Sequence, residues 1–237
     1  MPIAKTVLVV IPCFNEGEAL PALLQQLRQV TIPGYDLSIA VVNDASADNT
    51  AAIARKEGVV VLDLPVNLGI GGAVQTGFRY AHRYGFDFAL QVDGDGQHPP
   101  EEIVRLLQCQ EATGAHVVIG SRFLVKEGFQ SSALRRTGIR YFHWLNKVFT
   151  GNAIYDSTSG FRLLNKTAIA MASAYYPDEY PEPESLVFFA RQGLEIAETP
   201  VVMRERAGGK SSIRNFATFY YCTKVTISMF FSYIRHF

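Results

Sequence analysis

The octapeptide DGDGQHPP, which starts at residue 93, contains the side chains best suited to binding a metal ion. Two carboxylates one residue apart, with glycines beside them, can converge on one hard cation. Mg²⁺ and Mn²⁺ take oxygen ligands from Asp, Gln and phosphate groups. Asp93, Asp95 and Gln97 are therefore candidate ligands of a metal that would neutralise the charge developing on a departing diphosphate. The alternative is an Asx/Gly turn whose two prolines only start the next helix.

Acidic and polar side chains also follow the first two apolar runs of the chain. PCFNE covers 12–16, and VVNDAS covers 41–46. Glu16 and Asp44 could accept hydrogen bonds from ribose hydroxyls or from a base N–H. Alternatively, Asn15 and Asp44 could be helix caps. The sequence leaves both interpretations open.

A glycine-rich segment, NLGIGGA, follows the third apolar run and opens a helical pattern. It is not a dinucleotide-binding fingerprint, because Val74 stands where G-x-G-x-x-G requires its third glycine. Its glycines either let the start of a helix approach a nucleotide or pack closely on a sheet.

Short apolar runs alternate with helical patterns over the first 120 residues. Runs without clean polar alternation indicate strands that are buried on both faces. Strand–helix alternation predicts a mainly parallel sheet with right-handed crossovers, whose ligands bind beyond the carboxyl ends of the strands. The predicted strands are Thr6–Ile11, Ser38–Asn43, Val59–Leu62, Phe88–Val92 and Val117–Gly120, and the predicted helices lie near 17–30, 47–57, 70–84 and 100–112.

The chain beyond residue 120 has a different pattern. A basic and aromatic segment, 125–150, precedes a Ser/Thr/Gly-rich turn at 156–160. A helix, a strand near 195–203 and a long apolar C-terminal helix follow. We interpret 121–212 as the second half of the same domain and 213–237 as an amphipathic helix.

The composition limits the classes of function that need to be considered. Lys plus Arg and Asp plus Glu both number 22, so net charge does not indicate a nucleic-acid binder. The cysteines Cys13, Cys109 and Cys222 form neither a metal motif nor a disulfide framework, which favours a reducing cytosol. The first apolar run is too short for a signal peptide, and Lys224 interrupts the longest apolar stretch, 216–237. We therefore expect a soluble or peripheral protein.

Taken together, the motifs resemble those of family-2 glycosyltransferases with the GT-A fold. The resemblance covers roughly residues 5–212. Within the family, the chain resembles in particular the dolichol- and undecaprenyl-phosphate sugar synthases. It implies an α/β, Rossmann-like and mainly parallel central sheet flanked by helices, in which 1–120 binds a nucleotide-sugar and 121–212 binds the acceptor. The segments that carry it are PCFNE, VVNDAS, NLGIGGA, DGDGQHP, GSRF (120–123) and DSTSGFRL (156–163).

The resemblance also implies roles for individual residues. Nucleoside contacts are implied for Pro12, Phe14, Glu16 and Asp44. The metal and diphosphate contacts are implied for Asp93, Asp95 and Gln97. Guanidinium groups match phosphate oxygens, and phosphate binding is implied for a further set, Arg122, Arg204, Arg206, Lys210 and Ser211. The chain departs from the family's usual Asp-Asp-Gly-Ser at 43–46, where it reads Asn-Asp-Ala-Ser and keeps only the second carboxylate.

The chemistry of the acceptor decides whether a catalytic base is needed. Transfer to a hydroxyl normally requires a carboxylate base. A phosphate monoester has a second pKa of about 6, so it is largely dianionic and needs cations instead. The base candidates are Asp156, Glu182 and Glu184, although Asp156 could only orient its loop and the glutamates could only start a helix. Asp95, Arg122 and Asp156 are thus the candidate catalytic residues.

Two helical patterns in the second half suggest contact with a membrane. If 132–149 is helical, Arg136, Arg140, His143 and Lys147 share one face and apolar side chains crowd the other, as in an interfacial helix. A solvated charged face over the protein's own core is the alternative. The C-terminal helix could likewise lie in the interface, dock on a small membrane protein or close the core.

We therefore predict a Mg²⁺- or Mn²⁺-dependent inverting transferase. It would move a sugar from a nucleotide-sugar, preferably a UDP-sugar, to a polyprenyl phosphate at the cytoplasmic face of the cell membrane. One alternative is transfer to a sugar hydroxyl in cell-surface polysaccharide synthesis. The other is a catalytically silent nucleotide-sugar-binding scaffold, against which the intact Asp93–Asp95–Gln97 set counts. The expected partners are the donor, the lipid phosphate, the membrane surface and, as an open alternative, a small membrane protein, with no nucleic acid.

Overall fold

The computed structural model of the chain describes residues 4–124, 133–204 and 217–235. Within these ranges seven strands form a single sheet, and eight α-helices accompany it. The strands are β1 (Lys5–Cys13), β2 (Tyr35–Asn43), β3 (Val60–Asp63), β4 (Phe88–Gln91), β5 (Val117–Ser121), β6 (Arg162–Asn165) and β7 (Ile196–Pro200). The helices are α1 (Leu20–Gln29), α2 (Thr50–Lys56), α3 (Gly69–Tyr84), α4 (Ile103–Thr113), α5 (Ala133–Thr150), α6 (Lys166–Ala174), α7 (Pro181–Arg191) and α8 (Ala217–Ile234).

The sheet has the strand order β3-β2-β1-β4-β6-β5-β7. All neighbouring strands run parallel except at β6, which is antiparallel to both β4 and β5. The predicted mainly parallel α/β sheet is confirmed. The strand β6 and the helix α6 that follows it directly were not predicted as separate elements.

The centre of the sheet is formed by β1, whose residues from Val7 to Cys13 are buried. Helices cover both of its faces, so side chains that point in either direction enter a core. On one face, α1 packs with Leu20, Leu23, Leu24 and Leu27, the spacing of a single helical stripe. On the other face, Gly77 of α3 lies so close to β1 that a Cβ atom there would come 2.1 Å from a methyl group of Val10.

The helices α5, α7 and α8 form a separate apolar cluster. Phe142 and Leu145 of α5 and Val187 of α7 pack against Val225 and Met229 of α8. The C-terminal helix therefore closes part of the protein's own core. Its apolar residues are not confined to one face, because Ile227, Phe230, Phe231 and Ile234 are exposed while Val225 and Met229 are buried.

The predicted helix at 132–149 is present as α5, but its faces differ from the prediction. His143, which was expected on a basic face together with Lys147, contacts the loop after the helix: its Nδ1 lies 2.7 Å from the carbonyl oxygen of Ile154. Trp144 and Val148 are more than half exposed. The side chains of Arg136 and Arg140 lie outside the described part of the helix.

Candidate active site

The predicted metal-binding turn follows β4 at the carboxyl edge of the sheet. Its backbone is fixed by the buried His98, whose Nδ1 accepts a hydrogen bond from the Asp93 N–H at 3.0 Å and whose ring stacks on Phe161. One carboxylate oxygen of Asp95 accepts the Gln97 N–H at 3.0 Å. This is the Asx turn that the sequence left as an alternative, and it coexists with two carboxylates on one short segment.

Glycines allow three segments to meet at this turn. A Cβ atom on Gly94 would lie 2.8 Å from the Cys13 Sγ and 3.4 Å from the Cγ of Glu16, so the end of β1 lies against the turn. A Cβ atom on Gly160 would lie 3.0 Å from a carboxylate oxygen of Asp93. The loop before β6 therefore reaches the same place, and the site is built from the ends of β1 and β4 and the beginning of β6.

The donor set around the turn fits a cation that shares its coordination with phosphate. Within the described ranges, no group of three or more His, Cys, Asp or Glu side chains forms a self-sufficient metal site. Asp93 and Asp95 supply two carboxylates, and Mg²⁺ is commonly held by one or two carboxylates together with substrate phosphates. Such a metal would depend on a bound diphosphate to complete its ligands.

Asp44, a predicted nucleoside contact, is buried and organises the start of α3. Its two carboxylate oxygens accept the backbone N–H groups of Leu68 at 2.7 Å and Gly69 at 3.0 Å. Asp44 therefore stabilises the start of α3 from a distant segment of the chain, and it is not a cap of α2, the helix that follows it in sequence. Asp48 caps α2 instead, by accepting the Thr50 N–H at 3.0 Å.

The remaining predicted nucleoside contacts lie near the end of β1. Pro12 is buried within the strand, and Phe14 is exposed beyond it. Asn15 joins this end to the loop after β2, because its side-chain oxygen accepts the Ala47 N–H at 2.8 Å. Glu16 donates its N–H to the Thr50 hydroxyl at 3.0 Å. The Asn15 N–H also donates to the Ser46 hydroxyl at 3.0 Å, so the PCFNE and VVNDAS segments meet at one edge.

Arg122 and Asp156 form a bidentate ion pair beside this edge. The Arg122 Nε and Nη2 atoms each lie 2.7 Å from a different oxygen of the Asp156 carboxylate, and the Arg122 N–H donates to the same group at 3.0 Å. The Asp156 side chain is 0% exposed and that of Arg122 is 20% exposed. Burial acts to lower the pKa of Arg122, but its contacts with Asp156 outweigh this and raise it, so the guanidinium stays charged.

A second arginine, Arg162, is completely buried at the start of β6 and shapes the loop that carries Asp156. It donates to the carbonyl oxygens of Ser159 at 2.7 Å and Ser157 at 2.9 Å, and to the Ser185 hydroxyl of α7 at 2.8 Å. These bonds tie the 157–159 loop to the first turns of α7. The motif DSTSGFRL stands out in the sequence, but the sequence does not predict that the arginine of this motif holds the loop to α7.

The two glutamates at the start of α7 occupy different environments. Burial raises the pKa of Glu182, while the charge of Arg162 acts in the opposite direction and Asp93 and Arg122 also influence this carboxyl group. Glu184 instead contacts Tyr175 and the Ser228 hydroxyl of α8. It lines a cavity of about 460 Å³ between α7 and α8. Of these two base candidates, Glu182 is the one on the side of the metal-binding turn.

The late basic segment is only partly described. Arg206, Lys210 and Ser211 lie outside the described residues. Arg204 is directed to the Gln26 side-chain oxygen at 2.7 Å and pairs with Glu101, while its N–H donates to the Gln97 carbonyl at 3.0 Å. Its backbone thus borders the metal-binding turn.

Residues 8–170 match the sequence profile of the family described as Glycosyl transferase family 2. The chain belongs to this family of glycosyltransferases. Among the relatives of this glycosyltransferase is the undecaprenyl-phosphate mannosyltransferase of Micrococcus luteus, 32% identical over 87% of each chain. The polyprenol monophosphomannose synthase of Mycolicibacterium smegmatis is 30% identical, over 87% of this chain and 80% of its own.

Solved structures of similar shape confirm the GT-A fold of this family-2 glycosyltransferase. Glucosyl-3-phosphoglycerate synthase from Mycobacterium tuberculosis, crystallised with Mn²⁺, UDP and glucosyl-3-phosphoglycerate, superposes with a TM-score of 0.69. The identity is 19%, and the match covers 97% of this chain and 80% of that one. The same enzyme with Mg²⁺ and UDP gives a TM-score of 0.70.

Proposed function

We propose that this family-2 glycosyltransferase transfers a sugar, with inversion at the anomeric carbon, from a nucleotide-sugar to a polyprenyl phosphate. The observation that carries the proposal is the Arg122–Asp156 pair. Both Asp156 oxygens accept hydrogen bonds from Arg122, so this carboxylate serves to hold a cation and not to remove a proton. A dianionic acceptor needs a positioned cation and no base. The relatives named for undecaprenyl and polyprenol phosphate support the same acceptor class.

The residues of the turn after β4 would serve the donor. Asp93, Asp95 and Gln97 would hold Mg²⁺ or Mn²⁺, which neutralises the charge that develops on the departing diphosphate. We take a UDP-sugar as the donor, because the GT-A neighbour was crystallised with UDP. Pro12, Phe14, Glu16 and Asp44 would contact the nucleoside.

The transfer itself would be a single displacement. A phosphate oxygen of the acceptor forms a bond to the anomeric carbon, while the bond from that carbon to the diphosphate oxygen breaks and its electrons stay with the nucleotide. Arg122 would hold the acceptor phosphate through its remaining donor atoms, and Asp156 would fix the orientation of the guanidinium. No proton has to leave the nucleophile in this step.

The acceptor is tested by comparing undecaprenyl phosphate with undecaprenol and a glycan hydroxyl, after nucleotide-sugars have been screened for Mn²⁺-dependent thermal stabilisation. We expect transfer to the phosphate alone. In the same assay, Glu182→Gln should keep its rate to within about tenfold, because a phosphate acceptor needs no general base. Transfer to a hydroxyl, combined with a collapse of the rate in Glu182→Gln, would instead establish the polysaccharide alternative. A wild-type chain that binds a nucleotide-sugar without transferring it would support the scaffold alternative.

We also propose that the enzyme works at the cytoplasmic face of the membrane through the outer faces of α5 and α8. No helix in the described parts of the chain has the length and apolar character needed to span a bilayer. The two helices lie side by side, with the Tyr141 hydroxyl 2.7 Å from that of Thr226. Their large exposed apolar side chains are Tyr141, Trp144, Val148, Ile227, Phe230, Phe231, Tyr233 and Ile234. Aromatic and aliphatic groups on one surface suit the boundary between headgroups and acyl chains.

Membrane attachment is best tested by point substitutions, because deleting α8 would expose Phe142, Leu145 and Val187. The double variant Phe230→Ser/Phe231→Ser removes two half-exposed rings without touching the packed face. We expect its affinity for anionic vesicles to fall by roughly tenfold or more, since each buried ring contributes about 1.5–3 kcal/mol. Co-sedimentation measures this effect.

The matched control is Tyr84→Ser, which removes an exposed ring from α3. Vesicle binding of this variant should equal that of the wild type, and nucleotide binding should persist in all variants. Equal sedimentation of the Phe230/Phe231 variant and the control would contradict the membrane role of α8.

A further inference from the structure

The loop that carries Asp156 is hydrogen-bonded to a carboxylate of the edge strand β7. The two oxygens of Glu198 accept the backbone N–H groups of Tyr155 at 2.7 Å and Asp156 at 2.8 Å. Burial raises the pKa of Glu198, with the two N–H donors acting against it. A single side chain thus fixes two consecutive peptide groups at the point where Asp156 turns toward Arg122.

The sheet register makes this contact possible. β7 pairs in parallel with β5, and Glu198 lies opposite Ile119. Arg122 follows the end of β5 directly, so Glu198 lies on the strand next to the one that leads to Arg122. Glu198 contacts the Asp156 backbone, and the Asp156 carboxylate contacts the Arg122 guanidinium. Arg122 in turn is the group proposed to bind phosphate.

Other contacts hold the preceding part of the loop independently of Glu198. The His143 Nδ1 lies 2.7 Å from the Ile154 carbonyl oxygen, and the His143 ring stacks on Tyr155 with centroids 4.6 Å apart. Loss of the Glu198 bonds would therefore leave the loop attached at 154–155. The Asp156 N–H would then have lost its Glu198 acceptor, and the Asp156 side chain would be held less firmly in its orientation.

We propose that Glu198 is a positioning residue of the transferase site, which holds Asp156 where its carboxylate binds Arg122 in bidentate geometry. The inference rests on the proposed role of Arg122 in binding phosphate. Glu198 touches no reacting atom in this arrangement. Its effect on catalysis passes through Asp156 and Arg122.

The test is a double-mutant cycle of Glu198→Gln and Asp156→Asn in the full chain, assayed with a nucleotide-sugar and undecaprenyl phosphate. Glutamine keeps the size of Glu198 but has only one acceptor oxygen. Its NH₂ group would face one of the two N–H donors, so one of the two hydrogen bonds would be lost. We expect kcat to fall about tenfold to a hundredfold, because small displacements of positioned groups have large effects on rate. The KM for the nucleotide-sugar should change less than about twofold, because the turn of Asp93 and Asp95 is untouched.

The double variant should be no slower than the slower single variant, within about twofold, since both changes act through Arg122. The matched control is Glu195→Gln, an exposed carboxylate just before β7, which should have wild-type kinetics. Losses that multiply in the double variant would overturn the proposal. Glu198→Gln kinetics equal to those of Glu195→Gln would overturn it as well.

A second measurement separates this inference from the proposed function. Hydrogen exchange at the Arg122 Nε–H, followed by ¹⁵N NMR, needs no substrate. We expect exchange about tenfold faster in Glu198→Gln than in Glu195→Gln, because the bidentate pair opens more often. If the wild type does not transfer sugar to a polyprenyl phosphate, the proposed function fails, and unchanged exchange at Arg122 would then refute the positioning role separately.

Discussion

Replacing Asp95 with asparagine is expected to lower sugar transfer by about a thousandfold, since a catalytic metal ion contributes several kcal/mol to the transition state. Mn²⁺-dependent binding of the nucleotide should weaken as well, because one of the two carboxylates of the turn is lost. The asparagine oxygen can still accept the Gln97 N–H that Asp95 accepts at 3.0 Å, so the turn should keep its shape. Steady-state kinetics and calorimetric titration of UDP with and without Mn²⁺ measure the two effects.

The control for Asp95→Asn is Asp36→Asn, the same change at an exposed carboxylate. Asp36 lies near the beginning of β2, at the edge of the sheet opposite to the candidate site. The free energy of unfolding of both variants should lie within about 1 kcal/mol of the wild-type value, because asparagine keeps the bond to the Gln97 N–H and Asp36 is exposed. Near-normal turnover of Asp95→Asn at moderate Mn²⁺ concentration would refute the metal assignment for this residue.

Removal of the Arg122 side chain should have two separable effects. Arg122→Ala is expected to lower kcat about a hundredfold, because the acceptor phosphate would lose the cation that positions it for attack. It should also lower the free energy of unfolding by about 3–5 kcal/mol, because the Asp156 carboxylate, 0% exposed, would be left buried without its partner. Kinetics and denaturant unfolding measure the two quantities.

The double variant Arg122→Ala/Asp156→Ala distinguishes catalysis from stability. Without the buried carboxylate, much of the lost stability should return, while the rate should stay low. Recovery of the rate together with stability would show that Arg122 only neutralises Asp156. Asp156→Asn alone should lose about tenfold in rate, because the amide keeps one of the two bonds that orient the guanidinium.

The parallel part of the sheet could be predicted from the sequence because each of its strands is an apolar run followed by a polar turn. The run that became β1 is buried on both faces, and this removes polar alternation and makes the strand easy to recognise. The short strand β6 was missed for the opposite reason. It has four residues and begins with Arg162, a side chain that a sequence pattern places at the surface. Its burial depends on three hydrogen-bond acceptors that only the folded chain brings together.

The composition of the candidate site was predictable, whereas the pairing of its side chains was not. DGDGQHPP, GSRF and DSTSGFRL carry the residue types that the chemistry needs, and the fold brings all three to one edge. That Asp156 binds Arg122, and that Glu182 and Glu184 point to different surroundings, depends on loop geometry between elements far apart in sequence. The contribution of Glu198 had no local signal at all, since a lone glutamate in a short strand indicates only an edge or a solvent-facing position.

The position of β6 also bears on how the protein loses its structure. Among the described strands, it is the one that hydrogen-bonds β5 and β7 to the remainder of the sheet. Asp93 lies in the turn after β4 and Arg122 lies directly after β5, and the four residues of β6 join these two parts of the sheet. Local opening at β6 would break the hydrogen bonds between these two parts of the sheet, while the parallel strand pairs keep their own hydrogen bonds. The enzyme would then be inactive although most of its sheet remained hydrogen-bonded.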